Sequence, residues 1–208
     1  MSTVNAASWG ARACLITLGL LLGTVAQSIS AQTLPPSPRD HLERIVGGKP
    51  GERKAAEDAG RKASFFCANC HGETGNSKYS EVPNLASQHP AYVLNQIEAF
   101  LSGKRKDAFM QGLMKVLSND EKVGIAVFYA SQEVVHRPAR DAALAAKGKA
   151  YYDRICFRCH GESGHGSDQY ARIAGQQPDY LTQTLRRYRD GTGNRVDALI
   201  DRKSTRLN

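Results

Sequence analysis

The chain has 208 residues, with 28 Lys+Arg against 20 Asp+Glu and a formal net charge of +8. Residues 1–31 carry one basic side chain, Arg12, and residues 201–208 carry Arg202, Lys203 and Arg206 against Asp201; without these ends 24 basic and 19 acidic residues remain, a net charge of +5. No Lys/Arg stripe is concentrated enough for a nucleic-acid footprint, so the charge reads as a solvated surface whose patches can steer protein partners.

In chain order, Arg12 precedes a nearly uninterrupted apolar or small run over residues 13–25, followed by Thr24-Val25-Ala26 and Ser28-Ile29-Ser30-Ala31. This is the layout of a secretory signal with its cleavage region, assigned to residues 1–31. The run is short for a helix of ~20 residues that spans a bilayer, so cleavage is expected, with an uncleaved anchor as the alternative. Residues 32–58 read as a linker: Pro35, Pro36 and Pro38 open it, Gly47-Gly48 and Pro50-Gly51 punctuate it, and a short helix is expected around His41 to Val46.

The remainder is a duplication. Cys67-Ala-Asn-Cys70-His71-Gly-Glu-Thr-Gly75 answers Cys156-Phe-Arg-Cys159-His160-Gly-Glu-Ser-Gly164, Gln88-His-Pro-Ala-Tyr92 answers Gln176-Gln-Pro-Asp-Tyr180, and Phe100 and Gly103 answer Tyr188 and Gly191. In each copy a helix is expected to run into the cysteine motif and a Gly-rich polar loop to follow. A second helix should start at Pro90 or Pro178 and stop at Gly103 or Gly191. Its core face is expected from Tyr92, Ile97 and Phe100, and from Tyr180, Leu181, Leu185 and Tyr188. Copy one continues through Met110 and Met114 to Ser118-Asn-Asp-Glu121, a capping box that opens a helix through Tyr129. Residues 137–141, with Pro138, mark the link to copy two.

C-x-x-C-H is the attachment signature for a c-type haem. Cys67 and Cys70, and Cys156 and Cys159, would form thioethers to haem vinyl groups, and His71 and His160 would ligate iron from one face. The cofactor expectation is therefore two covalently bound haem c groups. Haem also supplies apolar core that two domains of roughly 80 residues otherwise lack. A Cys₄ zinc site is disfavoured, because the pairs lie in separate repeats, far outside the ~15–20-residue spacing of a zinc ribbon. Beyond the motifs only Cys14 remains, inside the signal, so no pair is left for a structural disulfide. For the opposite face of iron in copy one a thioether is expected, since Met/His ligation suits reversible electron transfer. Met110 and Met114 are the candidates; alignment of residues 106–110 with 196–200 favours Met110, with Met114 packing the core. His41, His89, His136 and His165 read as surface or loop residues.

With both motifs, Pro-Asn-Leu-Ala-Ser-Gln88, Arg-Ile-Ala-Gly-Gln176, Tyr-Arg-Asp-Gly191, Met110-Gln-Gly and Leu117-Ser-Asn-Asp-Glu121 in view, residues from about 60 to 200 resemble two-haem cytochromes c of the c4 type. The resemblance implies an all-α protein of two tandem class I cytochrome c domains, exported to the periplasm and passing single electrons. Domain one would span 59–136 and domain two 142–200. It further implies that the Pro83 carbonyl accepts from His71, that a carbonyl near Ala171 does so in copy two, and that Gly60 meets Phe128 where the first helix crosses the last. Expected partners are redox proteins: a cytochrome bc1-type donor, and a terminal oxidase or dehydrogenase, with peripheral docking to the membrane. Two alternatives stand beside the carrier: a haem subunit of a larger dehydrogenase or oxidase, and a peroxidase-like haem enzyme if the second haem lacks a sixth ligand.

Copy two departs from that pattern, having neither a methionine nor a final helix, and is expected to be incomplete. Residues 201–208 read as a translated sequencing-adapter end, GAT CGG AAG AGC ACA CGT CTG AAC, and hence as a non-native tail. Residue 200 of the natural chain is then expected to be the missing methionine. A genomic read across this junction should depart from the adapter codons after residue 200; a native read that continues through codons 201–208 contradicts the expectation.

Overall fold

The structure, a computed structural model, describes residues 36–192. The signal, the tail and Ile200 lie outside the described residues. All regular elements among the described residues are helices, in agreement with the all-α expectation.

The stretch 32–58, expected as a linker with a short helix around His41 to Val46, carries that helix within α1 (Pro38–Gly47) and, beyond the expectation, most of a second helix, α2 (Pro50–Ala63). Their prolines sit in the first helical turn, where the missing N–H costs nothing and the fixed φ favours entry. Ser37 and Asp40 close a capping box on α1. Leu42 is buried in the main core, with Ile45 and Ala56 packed against it, and Arg39 Nη2 donates to Asn95 Oδ1 at 2.9 Å. Both helices thus pack on the core of copy one.

The centre of domain one is α6 (Asn119–Ala130), opened by the expected capping box: Glu121 N–H donates to Ser118 Oγ at 3.2 Å, and Ser118 N–H to Glu121 Oε2 at 2.8 Å. Seven consecutive residues, Val123 to Tyr129, are buried, so α6 is enclosed on all sides. α2 crosses it where Gly60 faces Gly124. A Cβ on Gly60 would fall on the Gly124 carbonyl, and one on Gly124 would lie 3.0 Å from the Gly60 Cα. Gly60 thus meets Gly124, one helical turn before the expected Phe128. The absence of both side chains is what lets the backbones touch. Phe128 lies under the Arg61 guanidinium, 4.8 Å from its ring centroid.

α4 (Pro90–Leu101) buries the expected Tyr92, Ile97 and Phe100, together with Ala91, Val93 and Leu94. Gly103, at φ 75°, turns the chain out of it. α5 (Ala108–Val116) follows, capped by Asp107 Oδ1 on Met110 N–H at 3.0 Å. In copy one the short α3 (Ala68–His71) carries the cysteine motif; in copy two α7 (Ala142–Tyr152), α8 (Phe157–His160) and α9 (Pro178–Arg189) repeat α2, α3 and α4. The expected core face of α9 is only partly buried: Tyr188 is buried, but Leu185, the counterpart of Ile97, is exposed. α7 buries no residue, and Gly148, the counterpart of Gly60, has nothing within 4 Å. Among the described residues copy two has no counterpart of α6, the helix against which α2 and α4 pack in copy one. No described helix is long and apolar enough to cross a membrane.

At the α2–α6 crossing, alanine at Gly60 gains about 1 kcal/mol of helix propensity. The collision with backbone should cost more, at or above the roughly 1–3 kcal/mol of ordinary overpacking. Gly60→Ala is expected to lower the denaturation midpoint of domain one; an unchanged or raised midpoint contradicts the close crossing. Ser118→Ala should cost about 1 kcal/mol through loss of the cap, read in the same unfolding experiment.

Candidate haem-attachment sites

Each site is built on one helical turn. His71 N–H donates to the Cys67 carbonyl at 2.9 Å and Cys70 N–H to the same carbonyl at 3.2 Å; in copy two His160 and Cys159 bond the Cys156 carbonyl at 3.0 and 3.2 Å. Residues three and four apart share a helix face, so this turn presents both sulfurs and the imidazole together.

The following loop is closed by a glycine carbonyl. Gly75 accepts from Leu85 N–H at 2.7 Å and Ala86 N–H at 3.1 Å, and Gly164 accepts from Ile173 and Ala174 N–H at 2.8 and 2.9 Å. Gly75 sits at φ 76° and a Cβ there would lie 2.7 Å from Ala86 N, so no larger residue fits the bracket. The bracket brings the preceding carbonyls onto the histidines: His71 Nδ1 lies 2.8 Å from the Pro83 oxygen and His160 Nδ1 2.7 Å from the Ala171 oxygen, as the resemblance implied. A carbonyl can only accept, so Nδ1 carries the proton in both rings and Nε2 keeps its lone pair. Among the described residues nothing hydrogen-bonds to either Nε2. His71 is buried, and burial pushes its pKa below the usual imidazole range against the opposing effect of the Pro83 bond. It is a neutral donor at pH 7.

Burial pushes the Cys67 and Cys156 thiols up from their ordinary value, which does not suit a thiolate redox pair. All four motif cysteines are free of disulfides. Among the described residues no three His, Cys, Asp or Glu side chains converge on a metal position, so the two pairs do not assemble a Cys₄ zinc site.

The structure separates the two methionines. Met114 is buried in the main core; Met110 is half-buried and packs at its edge. Phe109, next to Met110, has its ring 6.4 Å from that of Phe66, next to Cys67, so the methionine helix and the cysteine turn of copy one adjoin. Apolar side chains around them are left in solvent: Phe65 at 81%, Phe66 at 53%, Phe109 at 60% and Val116 at 79% exposure. Free thiols, an open Nε2 and uncovered aromatic rings are the surroundings a large flat apolar group with a coordinating metal requires. The residues present fit a haem. In copy two, Arg172 Nε is buried without a partner, a spare donor in the loop that carries Ala171.

The other histidines stand apart from these turns. His41 Nδ1 pairs with Asp120 at 3.0 Å, His89 lies 3.7 Å from Asp168, and His136 and His165 are exposed. Sequence reasoning missed the polar residues that join the two loops. Gln88, Gln176 and Gln177 mark the repeat and Asn84 belongs to the family motif, but their placement face to face between the copies has no signal in the sequence. Gln177 Nε2 donates to the Ser77 carbonyl at 2.7 Å, and Asn84 Nδ2 to the Gly175 carbonyl at 2.9 Å. The sequence shows only the recurrence of a glutamine at the same register in both copies.

The helical turn, the thiols and the loop-held imidazole define a c-type cytochrome, and the sequence model of the family described as cytochrome c matches residues 145–205. Within that class the chain is 34% identical over 157 residues to cytochrome c4 of Pseudomonas aeruginosa, covering 70% of this chain and 78% of that one. Reduced recombinant cytochrome c4 from Pseudomonas stutzeri superposes with a TM-score of 0.65 at 30% identity, over 73% of this chain and 90% of that one. Thiosulfate dehydrogenase from Marichromatium purpuratum gives a TM-score of 0.60 at 26% identity, over 73% of this chain and 37% of that one. The chain belongs to the cytochrome c4 family, and its prosthetic group is covalently bound haem c.

With Nδ1 tied to a loop carbonyl, Pro83 should matter through its oxygen and not its ring. Pro83→Ala is expected to retain the His71 Nδ1–H signal in NMR of the haem-loaded protein, since Ala171 does the same work in copy two; loss of that signal contradicts the backbone account.

Proposed function

We propose that this chain is a periplasmic two-haem electron carrier that moves single electrons between respiratory-chain proteins. The reading is carried by one observation: both histidines have Nδ1 fixed on a loop carbonyl and Nε2 left open. Haem iron, when bound, supplies the one-electron couple. Cys67 and Cys70 would anchor the first macrocycle and Cys156 and Cys159 the second. His71 and His160 would each direct Nε2 at a metal, with the ring orientation locked by the loop. Met110 would offer its thioether to the iron in copy one, while Met114 fills the core. No coordination site for substrate is then left in copy one, and the role is transfer and not catalysis. The position expected to supply the second thioether, residue 200, lies outside the described residues.

Residues 1–31 are taken as a cleaved export signal, which agrees with haem attachment outside the cytoplasm. The partners are redox proteins, with a cytochrome bc1-type donor and an oxidase or dehydrogenase acceptor, met at the membrane surface. A second reading, a haem subunit of a larger dehydrogenase, is favoured by the likeness to part of the thiosulfate dehydrogenase chain. Purification from its native source separates them: a free carrier elutes alone, whereas stable co-elution with a larger dehydrogenase overturns the carrier reading.

The ligand assignment has its own test. Met110→Ala should abolish the far-red sulfur-to-iron band of the first haem with little loss of fold. Met114→Ala should keep the band and cost about 2–5 kcal/mol of stability by opening a core cavity. The reverse pattern contradicts the assignment. A high-spin second haem would instead favour the peroxidase-like alternative.

A further inference from the structure

The two haem loops are joined by a crossed pair of glutamines. Gln88 Oε1 accepts from Arg172 N–H at 2.9 Å, and its Nε2 donates to the Arg172 carbonyl at 2.8 Å. In mirror fashion, Gln176 Oε1 accepts from Asn84 N–H at 2.7 Å, and its Nε2 donates to the Asn84 carbonyl at 3.0 Å. Each amide is oriented by its partners, because the opposite orientation would set donor against donor and acceptor against acceptor. Gln88 is buried, so its bonds are shielded from water.

The position of these bonds is what gives them a consequence. The N–H of Arg172 and the carbonyl of Ala171 belong to one peptide group, as do the N–H of Asn84 and the carbonyl of Pro83. Ala171 is the acceptor for His160, and Pro83 the acceptor for His71. Each histidine is therefore linked through a single peptide plane to a glutamine of the other repeat. A peptide that donates its N–H becomes a stronger acceptor at its oxygen, by ~10–30% per bond in a chain. A stronger acceptor draws the Nδ1 proton and raises the electron density at Nε2. More donation to iron favours the oxidised state and lowers the reduction potential.

We infer that Gln88 and Gln176 are crossed positioning residues: Gln88 sets the donor strength of His160, and Gln176 that of His71. The inference rests on the proposed ligand roles of the two histidines. It gives each haem a dependence on the packing of the opposite domain, so a partner that parts the two loops alters both potentials through the peptide planes alone.

The experiment uses the haem-loaded full chain with Gln88→Met and Gln176→Met, substitutions that keep length and remove both bonds. Two quantities are read: the chemical shift of each histidine Nδ1–H in the reduced protein, and the potential of each haem. Gln88→Met should move the His160 proton upfield and leave that of His71 in place. The oxidised-to-reduced ratio of the second haem should fall two- to threefold, a rise of about 18–28 mV at ~59 mV per tenfold for one electron. Gln176→Met should do the same to His71 and the first haem. Gln88→Glu, which keeps the acceptor oxygen and adds charge, should move the His160 proton downfield. A response in the variant's own repeat, an equal response in both, or none in either overturns the crossed relay. Absence of covalent haem from the unsubstituted protein would overturn the functional reading itself, a result distinct from two bound haems with uncrossed responses.

Discussion

The hydrogen bond from imidazole Nδ1 to a loop carbonyl is the constraint on which the rest of this structure depends. It decides the tautomer, fixes the plane of the ring and leaves Nε2 as the one free donor. The bond exists because the loop after each cysteine turn is clipped shut by a glycine carbonyl, at Gly75 and at Gly164. A loop closed elsewhere would deliver a different carbonyl, or none. The buried position of His71 adds the second requirement, since desolvation keeps the ring neutral and unprotonated at Nε2.

Holding that loop is the task of the helices. In domain one the enclosed α6 is the post against which α1, α2 and α4 lean, and its entry is secured by a reciprocal cap. Ser87 N–H donates to the Tyr129 carbonyl at 2.9 Å, so the haem loop is tied directly to the end of that post. Close contact of Gly60 with Gly124 brings α2 near enough for the cysteine turn at its end to be placed relative to the loop. The amides between the repeats then fix one loop on the other. The two sites are thus parts of one hydrogen-bonded assembly and not beads on a string.

Much of this was legible in the sequence, for identifiable reasons. C-x-x-C-H, the Pro90 and Pro178 starts and the Ser118–Glu121 cap are local signals whose physics lies within a few residues. Other features were not local. Residues 32–58 read as a linker, apart from the short helix around His41 to Val46, because prolines and glycines punctuate them and α1 buries only Leu42, too thin an apolar face to show periodicity. The resemblance pairs Gly60 with Phe128, yet a close crossing needs a missing side chain on both helices, which Gly124 supplies. The core face of α9 was transferred from α4 by register, but burial depends on a helix that the described part of copy two does not have. The glutamines carry neither periodicity nor charge, so only the fold could place them against the opposite loop.

The most direct measurement is the mass of the purified chain under denaturing conditions, followed by peptide mapping of the cysteine segments. The account predicts two haems per chain, one on the peptide holding Cys67 and Cys70 and one on that holding Cys156 and Cys159, with all four sulfurs closed to thiol reagents. A chain that carries no haem, or that leaves either cysteine pair open to alkylation, would contradict it.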